Sequence, residues 1–101
     1  MNLELLFNEF LRERRLLKNS SPNTERHYKQ SFTAYKTYAS LDDELDRGNL
    51  NKWVMAMRES GIKPKSCNTY ISAINAFMHW LYDNEVIHHR IAANLIKNAF
   101  P

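Results

Sequence analysis

Three groups of side chains in this chain could in principle do covalent or metal chemistry. Asp42, Asp43, Glu44 and Asp46 form an acidic cluster. These acids are nearly contiguous rather than opposed across a cleft, and they lack the ligand spacing and the closing Glu of a calcium loop, so they read as a solvated connector. His88 and His89 are neighbours; on a helix their side chains diverge by about 100°, which suits a shared metal less well than an i, i+4 pair would. They read as a helix-start pair. Cys67 is the only cysteine, and with no histidine placed by sequence to activate it, it reads as a small buried hydrophobe. Trp53 and Trp80 read as core or domain-interface residues. No catalytic constellation, cofactor site or metal site follows from these residues.

What remains is the chemistry of anion recognition. Between Glu59 and Asp83 there is no carboxylate, and the polar positions there include Lys63, Lys65, Ser66, Asn68, Thr69, Ser72 and Asn75. All can donate a hydrogen bond. A second stretch has the same character: Asn23, Thr24, Arg26, His27, Lys29 and Gln30, diluted by the single acid Glu25. Helix starts in these stretches would offer backbone N–H groups to an anion. Amide and hydroxyl side chains behind them could reach base edges in a major groove. The candidate DNA-binding residues are therefore Asn23, Thr24, Arg26, His27, Gln30, Lys63, Lys65, Ser66, Asn68, Thr69 and Ser72. The expectation is that the two helix starts lie side by side. The alternative is a helical protein-interaction module whose polar face is merely solvated and whose Trp80 or Phe100 docks a partner.

The elements that must position these residues are helical. The 101 residues carry 14 Lys and Arg against 11 Asp and Glu, a net charge of +3, with 44% hydrophobic and 25% charged residues. That is one ordinary globular domain, weakly basic beside dedicated nucleic-acid binders. The apolar runs are too short to span a bilayer and no signal peptide is visible, so the expected location is the cytoplasm, with no membrane partner. Two Gly and three Pro leave long stretches free of breakers, and these carry a helical period. The first helix spans roughly 2 to 18 with Leu3, Phe7, Phe10 and Leu17 inward. Ser21-Pro22 caps and opens the second, 22 to about 39, with Tyr28, Phe32 and Tyr35 inward. An acidic connector, 40 to 48, includes Gly48. The third helix, about 49 to 60, buries Leu50, Trp53, Val54 and Met57 and stops at Gly61. The fourth, about 65 to 83, buries Cys67, Tyr70, Ile71, Ile74, Phe77, Met78 and Leu81. A short last helix is expected over 88–97. The Phe100-Pro101 end carries no stop signal and reads as the edge of a domain within something longer.

Taken together, Ser21-Pro22-Asn23-Thr24 with Tyr28, then Gly61 to Ile74, then Phe77-Met78-His79-Trp80-Leu81, resemble the N-terminal core-binding, or SAM-like, domain of phage-integrase-type tyrosine recombinases. In that family a "serine, two residues, threonine" helix start precedes an acidic connector, a short helix closed by glycine, and a "Gly-Leu-Ser-Pro-Arg-Thr-Ile-Asn" start to a long helix. The order and spacing match from about 3 to 97. Ser66 stands where threonine is usual, keeping the hydroxyl, and His89-Arg90 stands where many members have Asn-Pro.

The resemblance implies an all-α, four- to five-helix orthogonal bundle that is a DNA-binding module of a site-specific recombinase. Asn23, Thr24, Arg26 and His27 match the family's first contacting helix; Lys65, Ser66, Asn68, Thr69 and Ser72 match the second, with Lys63 just ahead of it. The implied partners are double-stranded DNA at a recombination core site, the catalytic domain of the same parent chain, and other recombinase protomers. The family's catalytic arginines, histidine and tyrosine belong to a C-terminal domain that 101 residues cannot hold, so no activity is expected in isolation. Tyr28, Tyr35, Tyr38, Tyr70 and Tyr82 match none of those positions.

Overall fold

The computed structural model describes residues 1–40 and 44–97. Among them are four helices: α1 (Leu3–Leu17), α2 (Pro22–Tyr38), α3 (Arg47–Glu59) and α4 (Pro64–Asp83). Each start has a local cause. The Asn2 side chain accepts from the Leu5 N–H at 3.1 Å, Ser21 from Thr24 at 3.2 Å, and Asp46 from Asn49 at 2.8 Å. Each occupies the N-cap and satisfies an N–H that has no intrahelical partner. Asp46 is thus part of a helix start rather than only a solvated acid. Gly48, expected in the connector, lies in the first turn of α3. Asp42 and Asp43 lie outside the described residues. Helix α4 opens on Pro64 with no side-chain cap.

Three of the helices end by the same backbone device. Asn19, Gly61 and Glu85 take φ of 52°, 95° and 59°, the left-handed region that turns the chain off a helix axis. The bonds Ser20 N–H to Arg14 C=O, Ile62 N–H to Met57 C=O and Val86 N–H to Leu81 C=O then close carbonyls the helix leaves open.

The core is aromatic where α1, α2 and α4 meet. Phe7 stacks on Phe32 at 4.1 Å and meets Phe77 edge-on at 5.2 Å, while Phe10 touches Tyr28, Phe77 and Trp80. Leu50, Trp53 and Met57 of α3 complete it, and the Trp53 indole donates to the Ala34 carbonyl at 3.2 Å. Cys67 is buried as expected, its thiol directed to the Ile62 carbonyl. Trp80 is half-buried and its indole donates to Glu13 at 2.9 Å, so it is a packed residue rather than an open docking handle; Phe100 lies outside the described residues. Leu17, expected inward, is 74% exposed; it is the last residue of α1 and borders a hollow shared with Trp80 and Asp83.

Small residues of both helices are buried where α2 packs on α4. Ser31 is fully buried, its hydroxyl donating to the His27 carbonyl at 2.9 Å, and Ala34 and Ala73 are buried too. The two helices share this seam in antiparallel order. Tyr28 reaches Trp80 through Phe10, Phe32 meets Phe77, and the Gln30–Tyr38 stretch borders Tyr70 and Ile62.

The expected last helix over 88–97 does not form. Residues 84–89 turn and bend, 90–96 form no helix, and the chain turns again at Lys97. Asn75 donates to the Ala93 carbonyl and accepts its N–H, both at 2.9 Å, and Asn68 does the same for Ile96 at 3.0 and 2.7 Å. Side-chain amides thus replace the partners a helix would have supplied. Ile87, Ile91 and Ala93 are buried in the process. A helix of that length has little stability of its own in water, so the packed, amide-bonded extended form wins.

Candidate nucleic-acid interface

Helix α4 keeps one solvent-facing strip. Lys65, Thr69 and Ser72 are exposed, as are Lys63 and Ser66 at its start. Among the described residues, α4 carries no acid before Asp83, which pairs with His79 at 3.4 Å. The first turn has no side-chain cap and Pro64 contributes no N–H, so the Ser66 N–H, just after Lys63 and Lys65 in the chain, has no cap acceptor. That combination lowers the electrostatic cost of bringing a phosphate to the helix start.

Helix α2 is arranged differently at its own start. Asn23, Arg26 and Gln30 are exposed, Thr24 and His27 half-buried. Ser21 already takes the Thr24 N–H, and the two hydroxyls lie 3.0 Å apart. With Pro22 lacking an N–H, little of this helix start remains for an anion. Glu25 is engaged by Arg15 of α1 at 3.1 Å, which offsets the one acid in the stretch.

The start of α4 therefore does not abut the first turn of α2. Its neighbours are Gln30, Thr33, Ala34, Thr37 and Tyr38, which with Ile62 and Tyr70 line an open hollow between the helices. Of the α2 residues singled out by sequence, Gln30 is brought to α4. Asn23, Thr24, Arg26 and His27 lie toward the end where α4 finishes.

Asn68 is a correction. Sequence placed it on the DNA-facing side, but it is 8% exposed and both ends of its amide are spent on Ile96. The extended segment covers it. Thr33 and Thr37 are not among the candidate residues named from sequence, yet they continue the Gln30 face at helical spacing, a stripe visible once the polar side of α2 is followed to its end. Their hydroxyls donate to the Lys29 and Thr33 carbonyls at 3.0 and 2.8 Å, and Thr69 donates to the Lys65 carbonyl at 3.1 Å. Hydroxyls committed in this way present only lone pairs outward. They suit amino groups on base edges better than phosphates. Ser66 and Ser72 have no hydrogen bond among the described residues and can donate.

No group of three His, Cys, Asp or Glu among the described residues could hold a metal ion. None of the described helices is long and apolar enough to cross a membrane.

The fold is a small helical bundle, and sequence comparison assigns it to a family. The family model described as "Phage integrase, N-terminal SAM-like domain" matches residues 7–85. The chain belongs to that family, and the all-α fold agrees with it. The match is to the N-terminal domain alone. Neither the curated proteins nor the solved structures gave a match.

Proposed function

We propose that this domain is the DNA-binding module of a site-specific tyrosine recombinase, gripping one face of a core half-site in the cytoplasm without catalysing a reaction itself. The observation that carries the reading is the exposed strip Lys65, Thr69 and Ser72 on α4, which has no acid of its own before Asp83, headed by Lys63 at a helix start without a side-chain cap. Lys63 and Lys65 neutralise phosphates, with Arg26 reaching a phosphate further along α2. Ser66 donates to the backbone at the helix start. Thr69, Ser72 and Gln30 meet base edges, with Thr33 and Thr37 beside them; His27 and Asn23 extend the contact along α2. Thr24 holds the start of α2 through Ser21. Asn68 has no direct part.

Few cations are involved, so the isolated domain binds weakly. In the parent protein a catalytic domain on the same chain adds its own contacts, and linkage raises the local concentration of the second site. Other protomers then assemble on the full core site.

Titrating a short mixed-sequence duplex at low salt tests the reading. Chemical-shift changes should cluster at Asn23–Thr37 and Lys63–Ser72. Lys63→Gln and Lys65→Gln should each weaken binding to every duplex alike and reduce the salt slope by about one. Silence across both stretches, with an unchanged slope, would leave the face as solvated surface and favour an interaction module instead.

A further inference from the structure

The extended segment after α4 has a geometry that bears on the same face. Asn75 and Asn68 sit seven residues apart, two helical turns, or about 10.5 Å along the axis. Their backbone partners, Ala93 and Ile96, are three residues apart, and three extended residues span about 10 Å. The two rises match, so both amides can close two bonds each without strain in either element. The segment therefore runs straight and antiparallel along α4, back toward its start. The family match stops at residue 85, before this segment begins.

We propose that residues 91–97 are a strap locked by Asn68 and Asn75, and that the strap delivers Lys97 beside Lys63 and Lys65 as a further phosphate contact. The inference rests on the DNA-binding reading above. Ile96 is level with Asn68, within one helical turn of Lys65 and Ser66, and the chain turns at Lys97. Around the helix Lys65 lies about 60° from Asn68 and Ser72 about 40° on the same side. The strap thus forms one rim of the exposed α4 strip, and α2 forms the other. Lys97 is exposed at the end of that rim. Asn68 and Asn75 are positioning residues here: they touch no DNA and act by fixing where a cation stands.

The strap has its own signature in the unliganded 101-residue chain. The Ala93 and Ile96 amides, held by Asn75 and Asn68, should exchange with solvent more slowly than those of Asn94 and Leu95, which have no partner among the described residues. Equal exchange at all four would overturn the lock. For the contact, anisotropy of a labelled mixed-sequence duplex is followed across a salt series. Lys97→Gln should lower the slope by about one and weaken low-salt binding several-fold. Asn75→Ala, checked for retained helicity, should weaken binding and leave Lys97→Gln with little further effect. Full additivity of the two would overturn the positioning role. If Lys97→Gln changes nothing while Lys63→Gln reduces the slope, the strap contact is wrong and the DNA reading stands. If neither changes anything, the DNA reading falls as well.

Discussion

Gly61 shows what a single residue contributes to this fold. Its φ of 95° lies in a region closed to most side chains, yet a Cβ placed there meets nothing within 4 Å. The cost of Gly61→Ala is therefore backbone strain without a clash, about 1 kcal/mol, and urea unfolding should show it as a lower midpoint with an unchanged m-value. A loss of several kcal/mol would mean that the α3–α4 turn carries packing the geometry does not reveal. This residue was legible in sequence because a lone glycine after a clean apolar stripe has few other uses. Asn68 was not. An asparagine between lysine, serine and threonine looks like one more polar contact, and nothing local shows that a segment 28 residues away claims both ends of its amide.

At the scale of elements, the start of α3 separates a run of acids into two kinds. Asp46 accepts the Asn49 N–H at 2.8 Å, and Glu44 receives the Asn49 side-chain amide on its backbone carbonyl. Asp46→Ala should cost about 1 kcal/mol by removing that cap, whereas Glu44→Ala should leave thermal stability nearly unchanged, since only its carbonyl is used. Comparing the two melting curves checks the assignment. The four helices themselves were readable from periodicity, and their stated limits fall within two residues of the observed ones. The fifth was not a helix because its hydrogen-bond partners come from α4 rather than from its own backbone. Periodicity registers apolar spacing, and Ile87, Ile91 and Ala93 bury an extended chain as readily as a helical one.

For the whole molecule, burial of two titratable groups makes stability fall at alkaline pH. Burial pushes the Tyr35 phenol above its ordinary 10.0, and the Cys67 thiol above its ordinary 9.0 with the Arg58 charge partly opposing. Both groups hold their proton more tightly when folded. Their contribution is complete below the ordinary values and drains away as pH rises through the raised ones, because the unfolded chain ionises first. Urea midpoints should therefore hold steady through neutral pH and fall above about pH 9 to 10, and Tyr35→Phe should flatten part of that fall. An unchanged slope in Tyr35→Phe would count against burial of the phenol as a cause.

The class of fold, the helix starts at Ser21 and Pro64, the stop at Gly61 and the acid-free stretch were all present in the chain as written. Each depends on residues within a turn or two of one another, where spacing alone decides the outcome. Which polar residues remain available to a ligand was settled only by tertiary packing. The antiparallel seam brings the Gln30–Tyr38 half of α2, not its first turn, to the start of α4. The extended tail takes Asn68 and Asn75 out of the polar face. Both results come from contacts between segments far apart in sequence, and no local pattern encodes which distant backbone will meet a given side chain.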